Sequence, residues 1–216
     1  MSIFNNSNKP SSAEKLSTLQ YESDLFEKLT DLQNEINVGY DTKVIAITNI
    51  ENDVLAASFA KALADTYAFN NSSCLIIDAN LYNPSFEKAL ELAKVVGDVR
   101  KIGSLTNDAL SKEGYHLAYL SNKTNYLSID KQTYPGIIFK DKFIQKFIEE
   151  HGRNYDHFII IAPCIKKHKD LFLLADVVKS IVLVAQRDIT KKKDIFEAIS
   201  FCRNNNLPLA KTVVVE

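Results

Sequence analysis

The chain has 216 residues, 46% hydrophobic and 25% charged, a balance that supports a sizeable buried core and argues against bulk disorder. A formal net charge of -1 offers no long-range attraction to nucleic acid or an anionic membrane, which excludes the usual electrostatic route to either. No apolar run is long enough to span a bilayer, and MSIFNNSNKPSSAEK lacks the apolar centre of a signal peptide, so the expected location is the cytoplasm.

Residues 1–19 are rich in Asn, Ser and Lys without periodicity and read as a mobile tail; residues 20–216 read as one domain. Leu25, Leu29, Leu32 and Ile36 recur at helical spacing on one face, and Gly39 is placed to end that helix. Short β-branched runs come next, at Val44–Ile47, Cys74–Ile77, Leu117–Leu120, Phe158–Ile161, Ile181–Val184 and Val213–Val215. Between them lie helical patterns near 52–67, 84–96, 139–151, 169–178 and 191–204. Strand and helix in alternation predict an α/β fold of three layers, a mainly parallel central sheet with helices on both faces. Ligands of such folds bind beyond the carboxyl ends of the strands, so the turns there carry the functional question. Cys74, Cys164 and Cys202 form no C-x-x-C pair and read as buried reduced thiols. His116, His151, His157 and His168 show no ligand spacing and read as surface or strand-edge residues, so no metal site is expected.

Three strand-end turns carry a resemblance. KVIAIT with its adjoining turn, CLIIDANLYNPSF, and YDHFIIIAP resemble, in order and spacing, the bacterial tyrosine kinases of capsule and exopolysaccharide synthesis, P-loop proteins related to the partition ATPases. The likeness runs over residues 22–216, and its most specific piece is Ile77 to Ser85 against the family's I-D-A-D-L-R-x-P-S. It implies a P-loop NTPase-like fold and a place in polysaccharide assembly.

The residues that would perform the family's chemistry are not there. Laid from Thr48 on T-S-x-x-P-G-E-G-K-S-T, the glycine positions hold Asp53 and Leu55, the lysine position Ala56, the magnesium-hydroxyl position Ala57, and Ser58 comes after. A phosphate cradle needs glycines, so that successive N–H groups converge on the anion, and a lysine for the terminal phosphates. No glycine occurs between Tyr40 and Val96, and no Gly-Lys pair occurs at all, so the reading is independent of register. The family's D-x-D-x-R keeps Asp78 but has Asn80 and Tyr82, and the third turn places Ile161 or Ala162 where a magnesium-linked Asp belongs. Glu51 and Asp53 instead sit where α-helix N–H groups favour acids, with Asn52 or Asp53 as N-cap, so the protein's own acids are expected to fill the anion site. An isolated Asp78 with no convergent base is not a catalytic site.

The family's E-x-x-R-x-x-R motif of ring assembly falls on Glu27, Thr30 and Gln33, so both arginines are gone and a helix docked on its own domain is expected. The resemblance implies a tyrosine-rich tail, which is not expected here after Val213-Val214-Val215-Glu216, and Tyr134 and Tyr155 read as packing residues. Lys166, Lys167, Lys169 and Lys191–Lys193 read as solvated loop lysines. The expected function is a catalytically inactive kinase-like binding module without cofactor. Its implied partner is a membrane-anchored polysaccharide adaptor or an active paralogue, which would recruit it to the inner face of the membrane; self-association stays open. Two alternatives remain: an active autokinase with a non-standard nucleotide site, using a lysine such as Lys61, and a partition-ATPase-like scaffold.

Overall fold

A computed structural model describes residues 12–37, 43–86, 99–104, 114–129, 138–139 and 142–215. Among these residues eight strands form one sheet: β1 (Val44–Asn49), β2 (Cys74–Asp78), β3 (Val99–Ser104), β4 (Gly114–Tyr119), β5 (Thr124–Ile129), β6 (His157–Ile161), β7 (Ser180–Gln186) and β8 (Leu209–Val215). Their spatial order is β3-β4-β5-β2-β6-β1-β7-β8. The six strands from β5 to β8 run parallel, while β4 pairs antiparallel with both β3 and β5. The sheet is therefore mainly parallel, as expected.

Strands β1, β2 and β6 are buried along nearly their whole length because both faces are covered. Alternate residues feed two cores. Ile45, Ile47, Ile76, Ile159 and Ile161 pack under α1 (Ser12–Asn37) and α2 (Asp53–Phe69). Ala46, Leu75, Ile77, Phe158 and Ile160 face α3 (Phe143–His151), a 3-10 turn (Asp170–Leu174) and α4 (Lys192–Asn204). Helix α1 begins at Ser12, earlier than the tail boundary read from the sequence. Leu29, Leu32 and Ile36 are buried, but Leu25 is 43% exposed, so the apolar stripe docks only along its later turns.

Three further expectations are corrected. Strands β3 and β5 are additional to the expected set, and β4 starts at Gly114 rather than Leu117. The helix expected over 169–178 is only the 3-10 turn; Leu171, Leu174 and Val178 are buried, so their spacing mimics a helix without forming one. Helix α3 starts at Phe143 because Lys142 adopts a left-handed conformation (φ 54, ψ 30) that interrupts the expected run from 139. His116 lies within β4, paired with Ser128, while the helix expected over 84–96, Gly39 and Tyr134 lie largely or wholly outside the described residues.

The three cysteines are buried and free. Burial raises the Cys74 thiol pKa and pushes that of Cys202 up to about 11, which leaves both inert as nucleophiles at neutral pH. His157 is not a bare strand-edge residue, since its ring stacks on Tyr67 at 3.9 Å. Tyr155 packs edge-on against Phe158 at 5.7 Å and accepts a hydrogen bond from Asn125 Nδ2, so it is a packing residue.

Candidate functional site

The carboxyl ends of β1, β2 and β6 are neighbours in the sheet, and the three turns leaving them meet above it. Each turn is tied to the others by its own polar groups.

The first connection is short. Strand β1 ends at Asn49 and α2 begins at Asp53, leaving residues 50–52 between them. A phosphate loop needs enough backbone between strand and helix to wrap an anion with N–H groups. Here Ile50 is 1% exposed and occupies the turn as a core residue. The early helix start also fixes the fate of the lysine position. Ala56 lies in the first turn of α2 and, with Ala57, Ala60, Leu63 and Ala64, is fully buried. Small residues on that face let α2 lie close to the sheet, and the position is aimed at the core rather than at an anion. Ser58 is exposed on the opposite side. Lys61 is bonded to Asp65 one turn further along, at 2.5 Å, away from the helix N-terminus.

Of the two candidate caps, Asn52 is the one used. Its Oδ1 accepts from the Leu55 N–H at 3.2 Å. Asp53 is the first helical residue and turns outward to the neighbouring connections. Its Oδ1 accepts from Asn49 Nδ2 at 3.1 Å and its Oδ2 from Asn83 Nδ2 at 2.8 Å, while its carbonyl accepts from Ser85 Oγ at 3.1 Å. Glu51 accepts from Thr190 Oγ1 at 3.2 Å and lies 3.9 Å from Lys166 Nζ. The acids around the turn thus bind side chains of adjacent turns, and the helix N–H is served by a neutral amide.

The second turn is organised by Asp78, which is 2% exposed. Its Oδ1 accepts from Asn80 N at 3.0 Å, and its Oδ2 from Ser85 N and Phe86 N, both at 3.1 Å. A buried carboxylate held by three backbone N–H groups is a structural anchor, each such bond contributing about 1.5–3 kcal/mol. Asn80 is buried, and its Oδ1 faces the Asn83 N–H at 3.4 Å. Asn49 Oδ1 and Asn80 Nδ2 are buried without a hydrogen-bond partner among the described residues. Tyr82, at the arginine position, donates to Asp170 Oδ2 at 2.5 Å and stacks face to face on His168 at 3.7 Å.

The third turn closes over the first. Ala79 N donates to Ile161 O, Ala162 N to Ile47 O and Ile165 N to Asn49 O, at 2.8–2.9 Å. Thr48 Oγ1 donates to Pro163 O at 2.8 Å, and Cys164 Sγ to Ile50 O. Ile161 and Ala162 are fully buried. The lysines beyond this turn are less free than expected. Lys166 pairs with Asp194 at 2.7 Å, and Lys169 donates to Ile165 O while lying 4.6 Å from the Phe201 ring centroid. Asn83, Ser85 and Asp170 are site residues that the sequence pattern does not single out, although N-P-S after β2 marks where two of them lie.

At the ring-assembly positions, Glu27 is exposed and Thr30 bonds back to Phe26 O. Gln33 is buried and accepts from Asn70 Nδ2 at the end of α2, which docks α1 on its own domain.

No family model and no curated sequence matches the chain. Solved structures do. The kinase domain of the Escherichia coli tyrosine kinase ETK aligns with a TM-score of 0.68 at 15% identity, over 88% of this chain and 74% of that one. The fold is that of a bacterial tyrosine kinase domain. The VpsO kinase domain aligns with a TM-score of 0.64 at 16% identity, over 95% and 98% of the two chains. A ParA family ATPase from Chlorobium tepidum gives 0.52 at 11% identity, over 81% and 72%. At these identities the likeness establishes architecture; chemistry has to be read from the residues.

Burial and the bond to Asp170 push the Tyr82 hydroxyl up to about 12. Because the folded value lies above the ordinary value near 10, Tyr82 contributes stability in full below pH ~10 and loses it progressively towards pH ~12. Phenolate absorbance in a pH titration should include a late-titrating component that Tyr82→Phe removes, and that substitution should flatten the alkaline loss of stability.

Proposed function

We propose that this chain is a catalytically inactive relative of the capsule and exopolysaccharide tyrosine kinases, kept as a protein-binding or regulatory module. The observation that carries the reading is the position of Ala56: fully buried, in the first turn of a helix separated from the strand by only residues 50–52. The missing lysine is thus one part of a turn rebuilt without room for phosphate. The acid at Asp53 and the anchor at Asp78 hold the turns to one another through Asn83, Ser85 and backbone N–H groups. Lys61, the replacement an active site would need, is engaged by Asp65.

Higher structural similarity to the tyrosine kinase domains than to the ParA family ATPase supports a polysaccharide context over a segregation scaffold. The partner in this reading is a membrane-anchored adaptor of polysaccharide assembly or an active paralogue, and it would bring the chain to the membrane. No helix among the described residues is long and apolar enough to cross a membrane.

A ligand at a hundred times its Kd adds about 2.7 kcal/mol to folding, so a micromolar nucleotide site is visible in thermal unfolding. Millimolar ATP with Mg²⁺ should leave the Tm of this protein unchanged; a rise of several degrees would overturn the proposal.

Restoring the lysine separates a rebuilt turn from a single lost residue. Ala56→Lys would bury an amine with no counter-ion, so it should destabilise the fold by about 3–5 kcal/mol without creating ATP binding. A well-folded Ala56→Lys variant that binds ATP would mean the cradle still exists.

A further inference from the structure

Strand β8 is the outermost strand at its side of the sheet, paired only with β7 among the described residues. Sheets blunt such edges with charge, proline, bulges or a covering element, because an unpaired row of N–H and C=O groups recruits other strands. Those protections are weak here. Lys211 is the single charged residue of β8, and it is already paired with Glu35 of α1. The register irregularity lies at the start of the strand, between the Ile181↔Leu209 and Val182↔Lys211 pairs. The remainder of the strand, Thr212-Val213-Val214-Val215, is β-branched, uncharged, free of proline and in regular register. Val214 is 52% exposed.

The outward backbone groups can be assigned. Arg187 N donates to Val215 O at 2.8 Å, which turns Val215 towards β7. Backbone groups of successive residues in a strand alternate sides, so Val213 also faces β7 while Thr212 and Val214 present N–H and C=O outward.

We propose that this edge pairs antiparallel with the same edge of a second copy, centred on Val213, joining two sheets into one. In that register Thr212 N–H donates to Val214 C=O of the second copy, and Val214 N–H donates to its Thr212 C=O. The two-fold axis repeats both bonds. Side chains fit the same register. Val213 meets Val213, Thr212 meets Val214, and Lys211 meets Val215, so no like charges stand opposite one another and the exposed valine gains a β-branched neighbour. Lys211 keeps Glu35, so its charge stays neutralised on both copies. A self-complementary strand with its one charge already paired favours a copy of itself over a peptide that would need charge to be chosen. On the α1 face, a groove of ≈ 500 Å³ runs between α1 and β8, lined by Leu25, Leu29, Leu32, Val213 and Val215 among others. The added strand would lie beside it, next to the exposed Leu25.

Sedimentation equilibrium of the full chain over a wide concentration range tests this. The expected result is a monomer–dimer equilibrium that Val214→Lys and Thr212→Pro each weaken by roughly tenfold or more. The first sets a charge against the second copy; the second removes an outward donor while leaving the bonds to β7. Far-UV circular dichroism should stay as in the parent chain, and Val214→Lys, at an exposed position, carries the test if the proline perturbs the strand. A parent chain that remains monomeric throughout, or a dimer that the folded Val214→Lys variant leaves intact, overturns the proposal.

Discussion

The carboxylate of Asp53 stands at the point where three turns converge, and it accepts one amide from β1's end and another from the turn after β2. In a nucleotide-binding relative of this architecture, the junction between first strand and first helix is where an external anion brings such turns together. Here the turns are joined by a carboxylate of the chain itself. The positive end of the α2 dipole is met by the chain's own acid and by the Asn52 cap.

The rest of the site is built around that junction. The connection is only residues 50–52, and Ile50 fills the turn. With the helix starting early, the face bearing Ala56, Ala60 and Ala64 is free to press on the sheet, which extends the core to the end of β1. The third turn can then fold directly onto the first through Ile165 N and Cys164. Tyr82 stacked on His168 and bonded to Asp170 closes the outer rim of the three turns.

Much of this is legible in the sequence, for reasons specific to each element. The buried parallel strands announce themselves because both faces are covered, which forces runs such as Val44–Ile47 and Phe158–Ile161. Strand β5 does not, because TNYLSI carries polar residues that the fold satisfies or tolerates locally, Asn125 reaching the Tyr155 hydroxyl. Strand β3 reads VRKIGS, in which two charges and a glycine hide an antiparallel edge. The 3-10 turn reads as a helix because Leu171, Leu174 and Val178 supply helical spacing to a segment buried by other means. In the site, the absences at Ala56, Ala57, Asn80, Tyr82, Ile161 and Ala162 are visible from residue identity alone. What replaces them is only half visible. Asn52 as cap and Asp53 as acid are recognisable as helix-start residues, but Asp53's partner Asn83 lies 30 residues away, and no local pattern encodes that contact.

Asp53 and Asn83 acting as a pair join the first turn to the second, and the self-held site depends on that junction. A double-mutant cycle with Asp53→Ala and Asn83→Ala, read by urea unfolding, isolates the pair from everything else each residue does. A coupling of about 0.5–1.5 kcal/mol is predicted, the double variant losing less stability than the two single variants combined. Strict additivity of the two losses would contradict it.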